Sequence, residues 1–155
     1  MKDLDRIDCR ILDALQREGR IAITELAAKV ALSPTACTER VRRLERDGVI
    51  SGYHARLDPA RIGRKLLVFV ELKMSTKSDE VFERVKQQIA HVPEVLECHL
   101  VSGDFDYLVK LRLKEMSEYR QLLGKILLKL PSATESRSYV VMEEIKETLY
   151  LRPEA

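Results

Sequence analysis

The sequence predicts an α+β protein: an N-terminal winged helix-turn-helix followed by a ferredoxin-like (βαββαβ) domain. Two observations carry this. Over the first third of the 155 residues, apolar side chains recur at helical spacing in three short blocks divided by Gly19, Ser33-Pro34 and Gly48. Beyond residue 65 the period changes, and strand-like and helix-like segments follow in the order β-α-β-β-α-β. The expected division is 1–57 for the first domain, 58–65 for a linker and 66–155 for the second domain.

The first block, Leu4 to Glu18, carries Leu4, Ile7, Ile11 and Leu15 on one face, with Asp5 and Asp8 offering a capped start and Gly19 a stop. Thr24 is expected to cap a short second helix, Glu25 to Val30, with Leu26, Ala27 and Val30 inward. After the turn Ala31-Leu32-Ser33, serine at the cap and Pro34 at the first helical position start a third helix that reaches about Asp47. Val49 to Leu57 is predicted as a short hairpin or single strand, the wing. Asp58-Pro59 and Ile62-Gly63-Arg64-Lys65 form the linker.

In the second domain, Leu66 to Met74 is a strand with apolar residues on both faces over Leu66 to Val70, which implies cover on both sides. Phe82, Val85 and Ile89 give a helix stopped by Pro93. Val95 to Ser102 and Tyr107 to Leu113 are strands joined by a tight turn at Gly103-Asp104. Leu122, Leu123, Ile126, Leu127 and Leu130 make a second helix stopped by Pro131, and Glu135 to Met142 is the last strand. Pro93 and Glu97 precede Pro131 and Glu135 at one common spacing, as two βαβ halves would. With both helices on one face of the sheet, the other face is left rich in Val and Leu. A second copy is its natural cover, so a dimer is expected.

Composition narrows the function classes. With 45% hydrophobic and 34% charged residues the chain can bury a core and solvate its surface, which excludes a disordered or collagen-like chain. Net charge is only +2, from 27 Lys+Arg against 25 Asp+Glu, so any basic site must be local. The run around Leu66 to Val70 is too short to span a bilayer, and Met1-Lys2-Asp3-Leu4 opens no signal peptide. The 3 cysteines, Cys9, Cys37 and Cys98, are far apart and odd in number, which reads as reduced thiols: Cys37 and Cys98 in the core, Cys9 away from the apolar stripe. His54, His91 and His99 are scattered, and Cys98 and His99 on a strand point to opposite faces, so no metal site is expected. No cofactor is expected either.

On a helical wheel the third helix buries Cys37, Val41 and Leu44 and turns Thr35, Glu39, Arg42, Arg43 and Arg46 outward, with Thr38 and Arg40 on the flanks. Arginines among small hydroxyls suit a major groove, where arginine grips guanine edges or phosphates. Charge alone would favour a solvated, salt-bridged helix, because Glu39, Glu45 and Asp47 are interleaved. Helix-turn-helix spacing, the Ser33-Pro34 start and the wing reverse that preference, giving a reading set of Ser33, Pro34, Thr35, Thr38, Glu39, Arg40, Arg42, Arg43 and Arg46. A two-fold dimer carrying two such helices would read a palindromic operator in double-stranded DNA. Arg56 in the wing is a phosphate contact or a plain exposed arginine.

The stretch Glu97-Cys98-His99-Leu100-Val101-Ser102-Gly103-Asp104-Phe105-Asp106-Tyr107-Leu108, with Tyr139-Val140-Val141-Met142-Glu143-Glu144, resembles the Lrp/AsnC family of bacterial and archaeal transcription regulators. Ser33-Pro34-Thr35 and Glu39-Arg40-Val41-Arg42-Arg43-Leu44-Glu45 match that family's DNA-binding helix, and the likeness runs from Leu4 to about Leu149. The resemblance implies a sensing domain that binds an amino acid between dimers, dimers assembling to octamers or larger, and a cytoplasmic, nucleoid-associated protein. It implies an effector site drawn from Leu100, Gly103, Asp104, Asp106, Met116, Tyr139, Val140 and Val141, with leucine as effector ahead of alanine or methionine. Gly103 would let backbone N–H groups approach a carboxylate, Asp104 or Asp106 would receive an ammonium group, and Leu100, Met116 and Val141 would line an aliphatic side chain. From the residues alone, Gly103-Asp104 reads first as an ordinary turn, and Tyr139 and Met116 as core.

Two departures stand out: Ala36 replaces a proline common in the family, and the chain starts almost at its first helix, without a basic arm, so a weaker nonspecific grip on DNA is expected. An enzyme is not expected. His99 near Asp104 and Asp106 lacks a nucleophile, and no Gly-rich phosphate loop occurs. The remaining alternative to an effector-modulated regulator is a global, nucleoid-type architectural DNA binder that ignores small molecules.

Overall fold

The computed structural model describes residues 4–130 and 132–154, which form two compact units: Met1–Arg56 with Lys146–Ala155, and Leu57–Ile145.

The first unit is three helices, α1 (Arg6–Arg17), α2 (Ile23–Val30) and α3 (Pro34–Arg46). Asp5 caps α1 reciprocally with Asp8: Asp8 N–H donates to Asp5 Oδ1 at 2.8 Å and Asp5 N–H to Asp8 Oδ2 at 3.2 Å. Helix α2 starts two residues before the predicted Glu25. Its cap is Ala22, and Thr24 is not a cap, because Leu26 N–H already reaches Ala22 O at 2.9 Å. Ala31 ends α2 in the left-handed region (φ 58°) and turns the chain into α3, whose cap Ser33 accepts from Ala36 N–H at 3.2 Å. Gly48, at φ 73°, closes α3. Ile11, Leu26, Val30, Cys37 and Leu44 form the core, each at most 2% exposed.

The predicted wing is a correction. Val49 to Leu57 contains no strand, although Arg56 Nη2 donates to Glu147 O of the C-terminal segment of the same unit at 3.3 Å. It is an extended, exposed arm held at its start, where Val49 and Ile50 N–H groups both donate to Leu44 O, and by Tyr53, whose hydroxyl donates to Glu45 at 3.0 Å. Burial and the Glu45 carboxylate push the Tyr53 phenol up to about 12. The C-terminal segment 146–154, expected with the second domain, packs instead along α1. Gln16 exchanges two 2.8 Å hydrogen bonds with the Leu151 backbone, and Arg17 stacks over the Tyr150 ring at 5.0 Å.

The second unit contains β1 (Leu66–Met74), α4 (Asp79–Ala90), β2 (Val95–Leu100), β3 (Tyr107–Leu113), α5 (Met116–Lys129) and β4 (Ala133–Val140), in the sheet order β2-β3-β1-β4 with antiparallel neighbours. This is the ferredoxin-like arrangement. Pro131, the expected stop of α5, lies outside the described residues. The last strand begins at Ala133, two residues earlier than predicted, and ends at Val140. Val68, Val70, Leu72, Val109, Leu111 and Leu113 face Val85, Ile89, Tyr119 and Ile126 of the two helices. Fully burying each such side chain contributes roughly 1.5–3 kcal/mol.

Register places Leu67, Phe69 and Glu71 on the open face, opposite Arg112, Lys110 and Leu108, with Tyr139 beside Phe69. That face holds a smaller apolar centre than predicted, because the valines of β1 and β3 point to the helices, and charged residues surround it. The repeat is visible too: Glu97 in β2 pairs with Lys110 at 3.0 Å, and Glu135 in β4 with Lys73 at 3.9 Å.

Candidate DNA-reading helix and effector residues

Ser33-Pro34 starts α3 so that Thr35, Glu39, Arg42 and Arg46 stand exposed, with Arg42 and Arg46 side chains 69% and 72% accessible. Each meets only a surface carboxylate, Glu39 at 3.6 Å and Asp47 at 3.4 Å. Thr38 is half-buried, its hydroxyl donating back along the helix to Pro34 O at 2.8 Å. Arg40 and Arg43 do not join this face. Arg40 Nη1 donates to Asp5 at 2.6 Å and Asp8 at 2.9 Å, and Arg43 Nη2 to Asp8 at 2.6 Å. Both are about a quarter exposed, and Asp8 is 1% exposed. The Arg40 guanidinium holds the Asp5 carboxyl below its ordinary range. Sequence reasoning took Asp8 only as a cap. Its second role has a local signal, arginines three apart beside the apolar stripe of a neighbouring helix, but pairing them with Asp8 needs the α1–α3 contact.

The structure divides the predicted effector residues into two groups at opposite ends of the sheet. Leu100, Gly103, Asp104 and Asp106 lie where β2 turns into β3, and Asp106 is tied to Leu72 and Met74 of β1. Tyr139, Val140 and Val141 lie at the other end, where Tyr139 and Val140 pair with Phe69 and Val68 and Val141 N–H donates to Leu67 O at 3.0 Å. Met116 opens α5 just beyond the end of β3 at that same end. At about 3.4 Å per strand residue the groups are roughly 14–20 Å apart. Tyr139 and Val140, being consecutive, point to opposite faces. Leu100, Met116, Tyr139 and Val140 are each about half exposed, so none of them is core in this chain.

The tight turn predicted at Gly103-Asp104 is a longer loop, closed by Val101 N–H donating to Asp106 O at 2.9 Å, with Gly103 at φ 136°, a conformation suited to glycine. Asp104 is exposed. Asp106, at 3% exposure, is already engaged: Oδ2 accepts from Met74 N–H at 2.8 Å, and Oδ1 meets Lys77 Nζ at 2.7 Å. Burial pushes its carboxyl up, but Lys77 and Met74 outweigh that and hold it below the ordinary value. Lys77 escaped sequence reasoning, since nothing local links it to a loop 24 or more residues away. Among the described residues no three His, Cys, Asp or Glu side chains gather as a cation site would require.

A helix-turn-helix with an exposed arginine face, joined to a βαββαβ domain with exposed apolar groups at both sheet ends and the exposed Asp104 at one, defines the class of ligand-linked DNA-binding regulators. The comparisons agree. A winged helix-turn-helix DNA-binding profile matches residues 4–51, and the Lrp/AsnC ligand binding domain matches residues 67–151. The chain is 54% identical over 147 residues to the leucine-responsive regulatory protein of Escherichia coli K12, covering 95% of this chain and 90% of that one. An AsnC family transcriptional regulator from Agrobacterium tumefaciens superposes with TM-score 0.91 at 35% identity, over 96% of both chains. A Neisseria meningitidis transcriptional regulator solved with L-methionine superposes with TM-score 0.90 at 32% identity, over 96% of both. The chain belongs to the Lrp/AsnC family of transcription regulators.

Proposed function

We propose that this chain is a sequence-specific regulator of amino-acid metabolism that reads a palindromic operator through α3 and whose activity is modulated by an amino acid, leucine ahead of alanine or methionine. The observation that carries the reading is the division of the effector residues between the two ends of the sheet. A small amino acid cannot span roughly 14–20 Å, so one chain supplies two half-sites and a second copy completes each. Leu100, with Asp104, offers one half, and Met116, Tyr139 and Val140 the other, all solvent-exposed as an unfilled interface would leave them. Effector binding then alters how copies pack, and through that the spacing of paired α3 helices. The operator must shift effector affinity by the same factor that the effector shifts operator affinity. Dimers form through the open sheet face and assemble to octamers or larger. The protein works in the cytoplasm on the nucleoid. No helix among the described residues is long and apolar enough to cross a membrane.

The test is a thermal-shift screen against the twenty amino acids, with sedimentation in the presence of any that stabilise, since a ligand of the folded state raises stability by mass action. Stabilisation by one aliphatic amino acid with a change in assembly size is expected. No shift with any of them, alongside intact DNA binding, would favour an architectural binder instead. Turnover of an amino acid would overturn the non-enzymatic reading.

A further inference from the structure

We propose that Asp8 is a positioning residue for DNA reading: by holding Arg40 and Arg43 on the scaffold side of α3 it sets the roll of that helix and keeps two cations off the phosphates. The proposal rests on α3 being the DNA-reading helix.

Three observations support it. Helix α3 is seated on a narrow apolar stripe, Cys37, Val41 and Leu44, which resists lifting the helix more than rolling it. Arg40 and Arg43, three residues apart, flank that stripe, and each places a guanidinium on a different oxygen of the same carboxylate, at 2.9 and 2.6 Å. Charge-assisted bonds of this length define direction where an apolar contact does not. The carboxylate is itself 1% exposed and reciprocally bonded to the Asp5 cap at the start of α1. The roll of α3 is thereby referred to the N-terminal turn of another helix.

The second consequence is electrostatic. A cation displaced from a phosphate is released as a free counterion only if the incoming arginine is not already neutralised, and each new phosphate contact adds about 0.9 to the slope of log affinity against log salt. Arg40 and Arg43 are neutralised, Arg40 by Asp5 as well. Arg42 and Arg46, at 69% and 72% exposure with long surface ion pairs, are the arginines of α3 left to exchange partners with DNA. The sequence shows one cluster of arginines on α3, and Asp8 sorts it into readers and holders.

The experiment uses the full chain, a duplex selected by the wild type from a random pool, and an unrelated duplex of equal length, with fluorescence anisotropy across a salt series. Asp8→Asn is expected to bind the unrelated duplex more tightly at low salt, with a slope steeper by ~0.9, the yield of the freed Arg43, since Arg40 keeps Asp5. Its preference for the selected duplex should fall by about tenfold or more, a loss of the size one misplaced base contact gives. Arg40→Gln and Arg43→Gln should each leave the wild-type slope unchanged. Should Asp8→Asn lose its helical circular dichroism, the neutral triple variant Asp8→Asn/Arg40→Gln/Arg43→Gln takes its place, with a wild-type slope and reduced preference expected. Single arginine variants that flatten the slope by ~0.9 each would overturn the proposal, as would an Asp8→Asn or triple variant with unchanged preference. A wild type that selects no duplex at all would instead overturn the reading of α3 on which the proposal rests.

Discussion

Replacing Asp106 by alanine removes a carboxylate that is 3% exposed, together with two partnerships of unequal weight. Met74 N–H, at the end of β1, loses its 2.8 Å acceptor in a position only 5% exposed, and an orphaned buried donor costs about 1–3 kcal/mol. Lys77 is 62% exposed and returns to water, so the lost ion pair adds no more than about 1 kcal/mol after screening. The backbone bonds that close the loop, from Val101 N–H to Asp106 O and from Asp106 N–H to Leu72 O, survive any side-chain change. The expected loss for Asp106→Ala is therefore about 1–4 kcal/mol, against no more than about 1 kcal/mol for Asp106→Asn, which keeps an acceptor for Met74. Urea unfolding followed by circular dichroism measures both. The sign of the pH dependence follows from the depressed carboxyl. Its charge-dependent contribution is complete above the unfolded value of 3.8 and disappears as pH falls through the lower folded value, while the protonated carboxyl still offers Met74 an acceptor, so in acid the gap to Asp106→Ala should narrow to that of the lost acceptor. The alanine variant should also lose the effector-induced thermal shift while keeping operator binding, because the loop beside Asp104 loosens and α3 is untouched. An alanine variant as stable as wild type at pH 7, or a stability gap that persists undiminished in acid, would refute the reasoning.

Arg42→Ala should weaken operator binding by ~1–3 kcal/mol if Arg42 meets a base, with thermal stability unchanged; a normal anisotropy titration would remove it from the reading set. Ala31→Gly should stabilise the chain by about 0.5–1 kcal/mol, since relief of the left-handed strain at φ 58° exceeds the extra chain entropy of glycine, and a lower melting temperature would contradict this. Phe69→Glu places a carboxylate in the small apolar centre of the open face and should reduce the sedimenting mass towards the monomer without unfolding the chain; an unchanged mass would move the dimer elsewhere.

Elements with a complete local signal were legible in the sequence. The cap at Ser33, the stripe of Cys37, Val41 and Leu44, and the apolar run Leu66 to Val70 of β1 are each short, local signals, and the order βαββαβ follows from listing such segments. Legibility failed where the deciding partner is distant. Residues 49–57 have the composition of a wing strand, but the described chain offers that segment no ladder to join. Arg40 and Arg43 fall on the outer part of the wheel at 100° per residue, and their long side chains curl back to a carboxylate more than 30 positions away. Asp106 was named through the resemblance, and its partners, Met74 at the end of β1 and Lys77 just beyond it, are distant in the chain. The effector residues were named by resemblance, and their separation into two ends emerged only once the strand order was known.

The docking of residues 146–154 on α1 has a consequence for the order in which the molecule is made. A ribosome delivers that segment only after the whole of Leu57–Ile145 has emerged. The core of the helical unit, built on Ile11, Leu26, Val30, Cys37 and Leu44, includes no residue of that segment, so the three helices can collapse early and wait. The polar seam of Gln16, Asp13 and Arg17 along α1 has only water for a partner on that side until residues 146–154 emerge, when Tyr150 and Leu151 bond to it. Completion of the helical unit thus waits for the intervening Leu57–Ile145, because hydrogen bonds join its first helix to residues that lie beyond that stretch.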